Sequence, residues 1–106
     1  MSISYDDFAK VEITIGTILS VEVVQDADKL LRLEVDFAEE APRQILSGIR
    51  EYFEDPQVLV GRQCPFVTNL APRTIRGFES NGMILAASTI DDLALLHPSI
   101  SVPNGT

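Results

Sequence analysis

The stretch with the most varied chemistry is Asn69–Ala87, NLAPRTIRGFESNGMILAA. It gathers side-chain amides (Asn69, Asn81), hydroxyls (Thr74, Ser80), two arginines (Arg73, Arg76) and an aromatic ring (Phe78). Arginine presents a fork of donors that matches phosphate oxygens. Ser, Thr and Asn contact sugar and phosphate. Phe78 either stacks a base or anchors the loop. This is chemistry for recognising a polyanion. Chemistry for breaking bonds is scarce. His97 is the only histidine and Cys64 the only cysteine. A Cys64–His97 pair would be a nucleophile and its base, but Cys64 sits in an apolar stretch where a buried, inert thiol is expected. One His and one Cys supply a metal poorly. The acidic pairs Asp6–Asp7, Glu39–Glu40 and Asp91–Asp92 fall in turn-like segments and are expected in solvent. Gly77 and Gly82 match neither nucleotide-binding fingerprint. No catalytic residue, metal or cofactor is expected.

Charge divides along the chain. Of 106 residues, 8 are Lys or Arg and 16 are Asp or Glu, a net charge of −8. Taken whole, that opposes non-specific binding to phosphate. Yet no acid occurs from Pro56 to Phe78, where Arg62, Arg73 and Arg76 stand. A local basic site on an acidic protein is one reading; a solvated loop that happens to hold arginines is the other. Arg43 and Arg50, in the acidic part, make a charge-matched comparison for Arg73 and Arg76.

These residues need elements to position them. Val11–Val24 alternates, with Val11, Ile13, Ile15, Leu19, Val21 and Val23 apolar. That period predicts a long strand with its odd face buried, and Gly16 predicts a bend or bulge in its middle. Gln25–Lys29 is a polar turn. Leu31, Leu33, Val35 and Phe37 make a second strand, Ala38–Pro42 a hairpin loop, and Arg43–Ser47 a short third strand. One helical turn is expected near Ile49–Phe53 and a short helix from Pro56, capped by Asp55 and closed by Gly61. Gln63–Thr68 is a fourth strand, with Pro65 suggesting an edge or bulge. Asn69–Gly82 is an irregular loop of a length usually kept for function. Met83–Ala87 is a fifth strand. The expectation is an all-β, five-stranded OB-fold barrel with a short helix between strands 3 and 4 and a C-terminal extension, one domain over residues 1–106. No apolar run is long enough to span a membrane. Met1–Lys10 does not read as a signal peptide. A lone cysteine fits the cytoplasm.

Four ordered segments carry a family resemblance. NLAPRTIRGFESNGMILAA resembles the signature of the tRNA-binding OB domain, in which asparagine, Pro-Arg, a second basic residue, glycine, serine and Gly-Met precede the last strand. Asp7–Val11 with Ile15–Ile18 resembles the opening of that family. Ala27–Leu30 resembles its first turn, and Gln44–Ile49 its third strand. The family includes the C-terminal domain of methionyl-tRNA synthetases, free-standing dimeric tRNA-binding proteins and CsaA-like secretion chaperones. The tail VPNGT and the strand end VDFAEE look CsaA-like; ADKL and the Ser-Gly and Asn-Gly-Met runs look like the tRNA-binding members.

The resemblance implies a non-catalytic, cytoplasmic OB-fold homodimer that selects tRNA by its structure, with an aminoacyl-tRNA synthetase as a partner. Carried over by position, Lys29, Arg73 and Arg76 would meet phosphates. Ser47, Asn69 and Ser80 would touch sugar or base, or hold the loops in shape. Only Lys10 and Lys29 are lysines, fewer than the family often carries, which implies weak, salt-sensitive binding. The apolar residues of Leu93–Thr106 imply a tail that helps to hold the dimer. The alternative is a CsaA-like chaperone binding unfolded or preprotein peptides in an apolar groove near Phe53, Phe66 or Phe78 and the tail. A third reading is an OB module that serves assembly alone.

Overall fold

The computed structural model describes residues Met1–Thr106. A short helix α1 (Tyr5–Ala9) precedes strands β1 (Ile13–Val23), β2 (Leu31–Asp36) and β3 (Arg43–Ser47). Two 3-10 turns, Arg50–Tyr52 and Pro56–Leu59, lead into β4 (Gln63–Val67). Two small hairpins follow, β5 (Arg73–Ile75) with β6 (Phe78–Ser80) and β8 (Ala86–Ser88) with β9 (Leu93–Leu95), with β7 (Met83–Ile84) between them. The main sheet is antiparallel in the order β3-β2-β1-β4-β7. It curls until β7 lies against β3, nearly closing a five-stranded barrel of the OB type. Gly82, just before β7, lies so near this seam that a Cβ there would come within 3.1 Å of Ile45.

The core fills the barrel. Ile18, Leu31, Leu33, Val35, Ile45, Leu59, Cys64 and Phe66 are completely buried. Phe37 meets Phe66 edge-on at 5.3 Å between ring centres, the favoured arrangement for two aromatic quadrupoles. β2 follows its alternation: Leu31, Leu33 and Val35 point in, and Arg32, Glu34 and Asp36 point out.

β1 departs from the expected parity. Gly16 and Ile18 face inward, whereas Val11, Ile13, Leu19 and Val23 are exposed. The β1–β4 register runs unbroken through Gly16. The irregularity lies at Leu19, between Ile18 and Ser20 in the pairing with β2. That extra residue resets the alternation, so that Val21 faces inward again. Gly16 serves another purpose. A Cβ there would stand 2.6 Å from Val35 Cγ1 and from Phe37 Cε1, so its missing side chain makes room for the core of β2.

Other expectations need adjustment. The segment from Pro56 has the predicted cap: Asp55 Oδ1 accepts from Gln57 N at 3.1 Å, and Gly61 closes the turn at φ 89°. Its bonds run from Val58 N to Asp55 O and from Val60 N to Gln57 O, so the turn is 3-10 rather than α. Pro65 is not on an edge. β4 lies between β1 and β7, and the Pro65 carbonyl accepts from Leu85 N at 3.1 Å. The expected fifth strand divides at Leu85 into β7 and β8.

The C-terminal segment packs on its own barrel. Leu93 and Leu95 lie against the core. Gln63 exchanges two hydrogen bonds with the Val102 backbone. Asn104 accepts from Thr17 Oγ1 at 2.7 Å and donates to Asp36. Gly105 and Thr106 pair with Ile15 beyond the end of β2.

Candidate nucleic-acid interface

Two loops meet on the outer side of β3. The first, between β1 and β2, is a tight turn in which Asp26 takes φ 61° and the Leu30 N–H returns to the Ala27 carbonyl. The second is Asn69–Gly82. It is not irregular, as expected, but contains the β5–β6 hairpin, with Ile75 opposite Phe78 and only Arg76–Gly77 between them. Both turn residues have positive φ, 52° and 83°, the mirror-image turn that suits the twist of a two-residue hairpin. A small apolar cluster outside the barrel joins the loops. Val24, Ala27 and Leu46 are buried there, with Leu30, Ile75 and Phe78 packed against them.

Polar contacts fix the hairpin on β3. The Leu46 N–H donates to Ser80 Oγ at 3.0 Å, and that hydroxyl donates on to the Gly82 carbonyl. Gln44 Nε2 donates to the Glu79 carbonyl at 2.9 Å, and Asn81 N donates to the Gln44 carbonyl at 2.9 Å. Arg43 holds both flanks of the loop, donating from Nη1 to the Thr68 carbonyl at 2.7 Å and to the Asn81 carbonyl at 3.3 Å. Glu39 fixes that guanidinium with two bonds of 2.8 Å, and the hydrogen bond from Arg43 holds the Glu39 carboxyl below its ordinary range. Arg50 does the same for the first loop, donating from Nη1 to the Ala27 carbonyl at 3.2 Å and from its own N–H to the Lys29 carbonyl at 3.2 Å. Arg43 and Arg50 are therefore braces, not a neutral charge comparison.

The structure distributes the sequence-derived residues unequally. Lys29 and Arg76, from separate loops, line one recess of about 250 Å³ with Asp26, Asp28 and Leu30. Both side chains are exposed, as is Arg73 at the base of the hairpin. Ser47 is half-buried at the end of β3, opposite Leu31. Ser80 is 5% exposed, with its hydroxyl committed to the hairpin. Asn69 lies apart from this recess. Its Oδ1 accepts from Glu12 N at 2.9 Å and its Nδ2 donates to the Lys10 carbonyl at 2.6 Å, tying the N-terminal segment to the end of β4.

Sequence reasoning missed Arg32. From the outer face of β2 its guanidinium lies 4.9 Å from the centre of the Phe78 ring and pairs with Glu22. The alternation of β2 shows that Arg32 points outward; no sequence signal shows what it covers. Bond-breaking chemistry has no comparable geometry. Cys64 is fully buried, and that burial raises its thiol pKa. His97 is exposed, with Nδ1 3.4 Å from the Gln63 carbonyl. No three His, Cys, Asp or Glu side chains gather as a metal site would require, and no helix is long and apolar enough to cross a membrane.

Barrel and loops together define an OB-type module with Lys29 and Arg76 brought to one recess at its edge. The family model of the tRNA binding domain matches residues 13–106, and the chain belongs to that family. It is 47% identical over 98% of its length to the methionine–tRNA ligase of Methanococcoides burtonii, of which it spans only 15%. Among solved structures it is similar to a MetRS-related protein from Pyrococcus horikoshii, at TM-score 0.90 and 34% identity, covering 99% of this chain and 95% of that one. It is also similar to the chaperone CsaA of Bacillus anthracis, at TM-score 0.88 and 31% identity, covering 100% and 97%.

Proposed function

We propose that this tRNA-binding domain works in the cytoplasm as a non-catalytic homodimer that selects tRNA by shape. The observation that carries the binding reading is the meeting of Lys29 and Arg76 on one recess, with Arg73 on the same hairpin. Lys29, Arg73 and Arg76 contact phosphates, and Ser47 reaches sugar or base. Ser80 and Asn69 act by holding their loops. The small number of cations makes one subunit a weak binder. Two patches on one rigid body raise avidity without new contacts.

The dimer reading rests on apolar side chains left in solvent. Ile3, Tyr5, Phe8, Val11 and Ile13 are exposed around α1 and the start of β1, as are Ile90, Leu96 and Ile100 further on. Because Leu93, Leu95 and Asn104 hold the chain's own barrel, deleting the tail would test folding as much as assembly. Ile13→Asp and Ile100→Asp are the better probes in sedimentation; if both variants remain dimeric, the interface lies elsewhere. For binding, the test is a gel-shift titration with bulk tRNA at two salt concentrations. Affinity that falls with salt supports the reading, and no shift at low salt ends it.

The curated methionine–tRNA ligase relative carries this domain as a small part of its length, which supports a synthetase as partner. The likeness to CsaA favours a second reading, peptide binding. Phe66, one of the side chains considered for its groove, is wholly buried, leaving half-buried Phe53 and Phe78. An unfolded peptide that displaces tRNA, or binds when tRNA does not, would favour this alternative.

A further inference from the structure

We infer that Arg32, lying over Phe78 and paired with Glu22, is a platform for one unpaired nucleobase. This rests on the tRNA-binding reading and adds to it a contact with a base rather than a phosphate. A guanidinium offers two flat faces and an edge. The guanidinium carbon of Arg32 lies over the Phe78 ring, 4.9 Å from its centre. The guanidinium edge is engaged by the Glu22 carboxylate. The side chain is still 30% exposed, so it is not sealed from an incoming ligand.

Three consequences follow from that geometry. Phe78 and Glu22 both restrain the guanidinium, so less side-chain freedom remains to be lost when a base lands on it. The Glu22 carboxylate offsets the positive charge, so Arg32 is a poor attractor of phosphate beside Lys29 and Arg76. What remains is a flat, polarisable surface, and such surfaces stack with any base because every base has a π-face. The position suits the task. Phe78 faces Ile75 across the two-residue turn that carries Arg76, and Leu30, beside Lys29, packs on the same cluster as Phe78. A strand whose phosphates met Lys29 and Arg76 would have its bases close to Arg32. Duplex RNA keeps its bases stacked internally; tRNA loops and ends have bases to offer.

Stacking and phosphate contact leave different marks on salt dependence. Losing a phosphate contact flattens the slope of log affinity against log salt; losing a stack lowers affinity equally at every salt. The test compares wild type with Arg32→Lys, which keeps the charge and removes the plane, against bulk tRNA and against a fully paired RNA duplex. The expected result is about tenfold weaker tRNA binding on a line parallel to that of wild type, with duplex binding unchanged. Glu22→Gln is the second variant, at an exposed carboxylate. It frees the guanidinium, and the tRNA slope should steepen by about one phosphate contact. Arg32→Lys indistinguishable from wild type, or flattening the slope, or weakening duplex binding equally, overturns the platform while leaving tRNA binding standing. Glu22→Gln without effect overturns the restraint by Glu22. Wild type that binds no tRNA overturns the proposed function and the platform with it.

Discussion

The guanidinium of Arg43 donates to the main-chain carbonyl of Thr68 at 2.7 Å, joining the start of β3 to the residue where β4 passes into the long loop. The same Nη1 reaches Asn81, at the other end of that loop. One side chain thus closes the base of the segment carrying Arg73 and Arg76. Its hold resembles that of a crosslink: it does not touch the tip, but limits where the tip can be.

Arg73→Ala with Arg76→Ala should weaken binding to every tRNA alike and flatten the salt dependence. Each lost phosphate contact removes roughly 0.7–0.9 from the slope. Both side chains are exposed, so the thermal unfolding midpoint should hardly change. The charge control is Lys10→Ala, on a side chain 78% exposed that reaches only Asp7. If Lys10→Ala costs as much affinity as Arg76→Ala alone, net charge and not a site explains binding.

Arg43→Lys keeps the charge and loses the fork. Two carbonyls lose their donor in partly buried surroundings, a cost of about 1–3 kcal/mol. Hydrogen exchange should quicken in Arg73–Ser80 before it quickens in β1 or β2. Uniform exchange across the chain would show that Arg43 braces the barrel as a whole.

Glu39 makes part of this brace depend on pH. Its carboxyl is held below its ordinary pKa by the Arg43 hydrogen bond, so the folded state binds that proton less readily than the unfolded chain. Its contribution is complete above the ordinary carboxylate range and is lost as pH falls through the lowered folded value. Urea midpoints of wild type and Glu39→Gln should therefore differ at neutral pH and converge in acid. A constant difference would place the effect in packing.

How far the sequence discloses the fold depends on what each residue answers to. The β2 alternation was legible because a simple strand repeats every two residues, and the Asp55–Pro56 cap because it is local. The parity of β1 was not, because the bulge at Leu19 arises from pairing with β2 and leaves no mark in β1 itself. The β5–β6 hairpin was hidden because each strand is three residues long, too short for a period to show. In the site, Arg73 and Arg76 stood out by their company. Arg32, Arg43 and Arg50 did not, because a charge in a sequence does not disclose its partner.

Gly16→Ala should be among the most damaging single-methyl additions. The new carbon would meet Val35 and Phe37 at 2.6 Å, and both of those side chains are buried. Overpacking of this kind costs about 1–3 kcal/mol, and each kcal/mol lowers the melting temperature of a domain this size by about 4–8 °C. A melting temperature equal to wild type would mean that β2 yields more easily than its packing implies.

The hairpin turn places a cation where the backbone does not favour one. Arg76 takes φ 52°, a left-handed conformation that asparagine adopts far more readily than a long side chain. Arg76→Asn should raise the melting temperature and lower tRNA affinity together. Improvement by thermostability alone would then select against recognition at this position, and a screen scored only by heat resistance would enrich the better-folded, weaker binder.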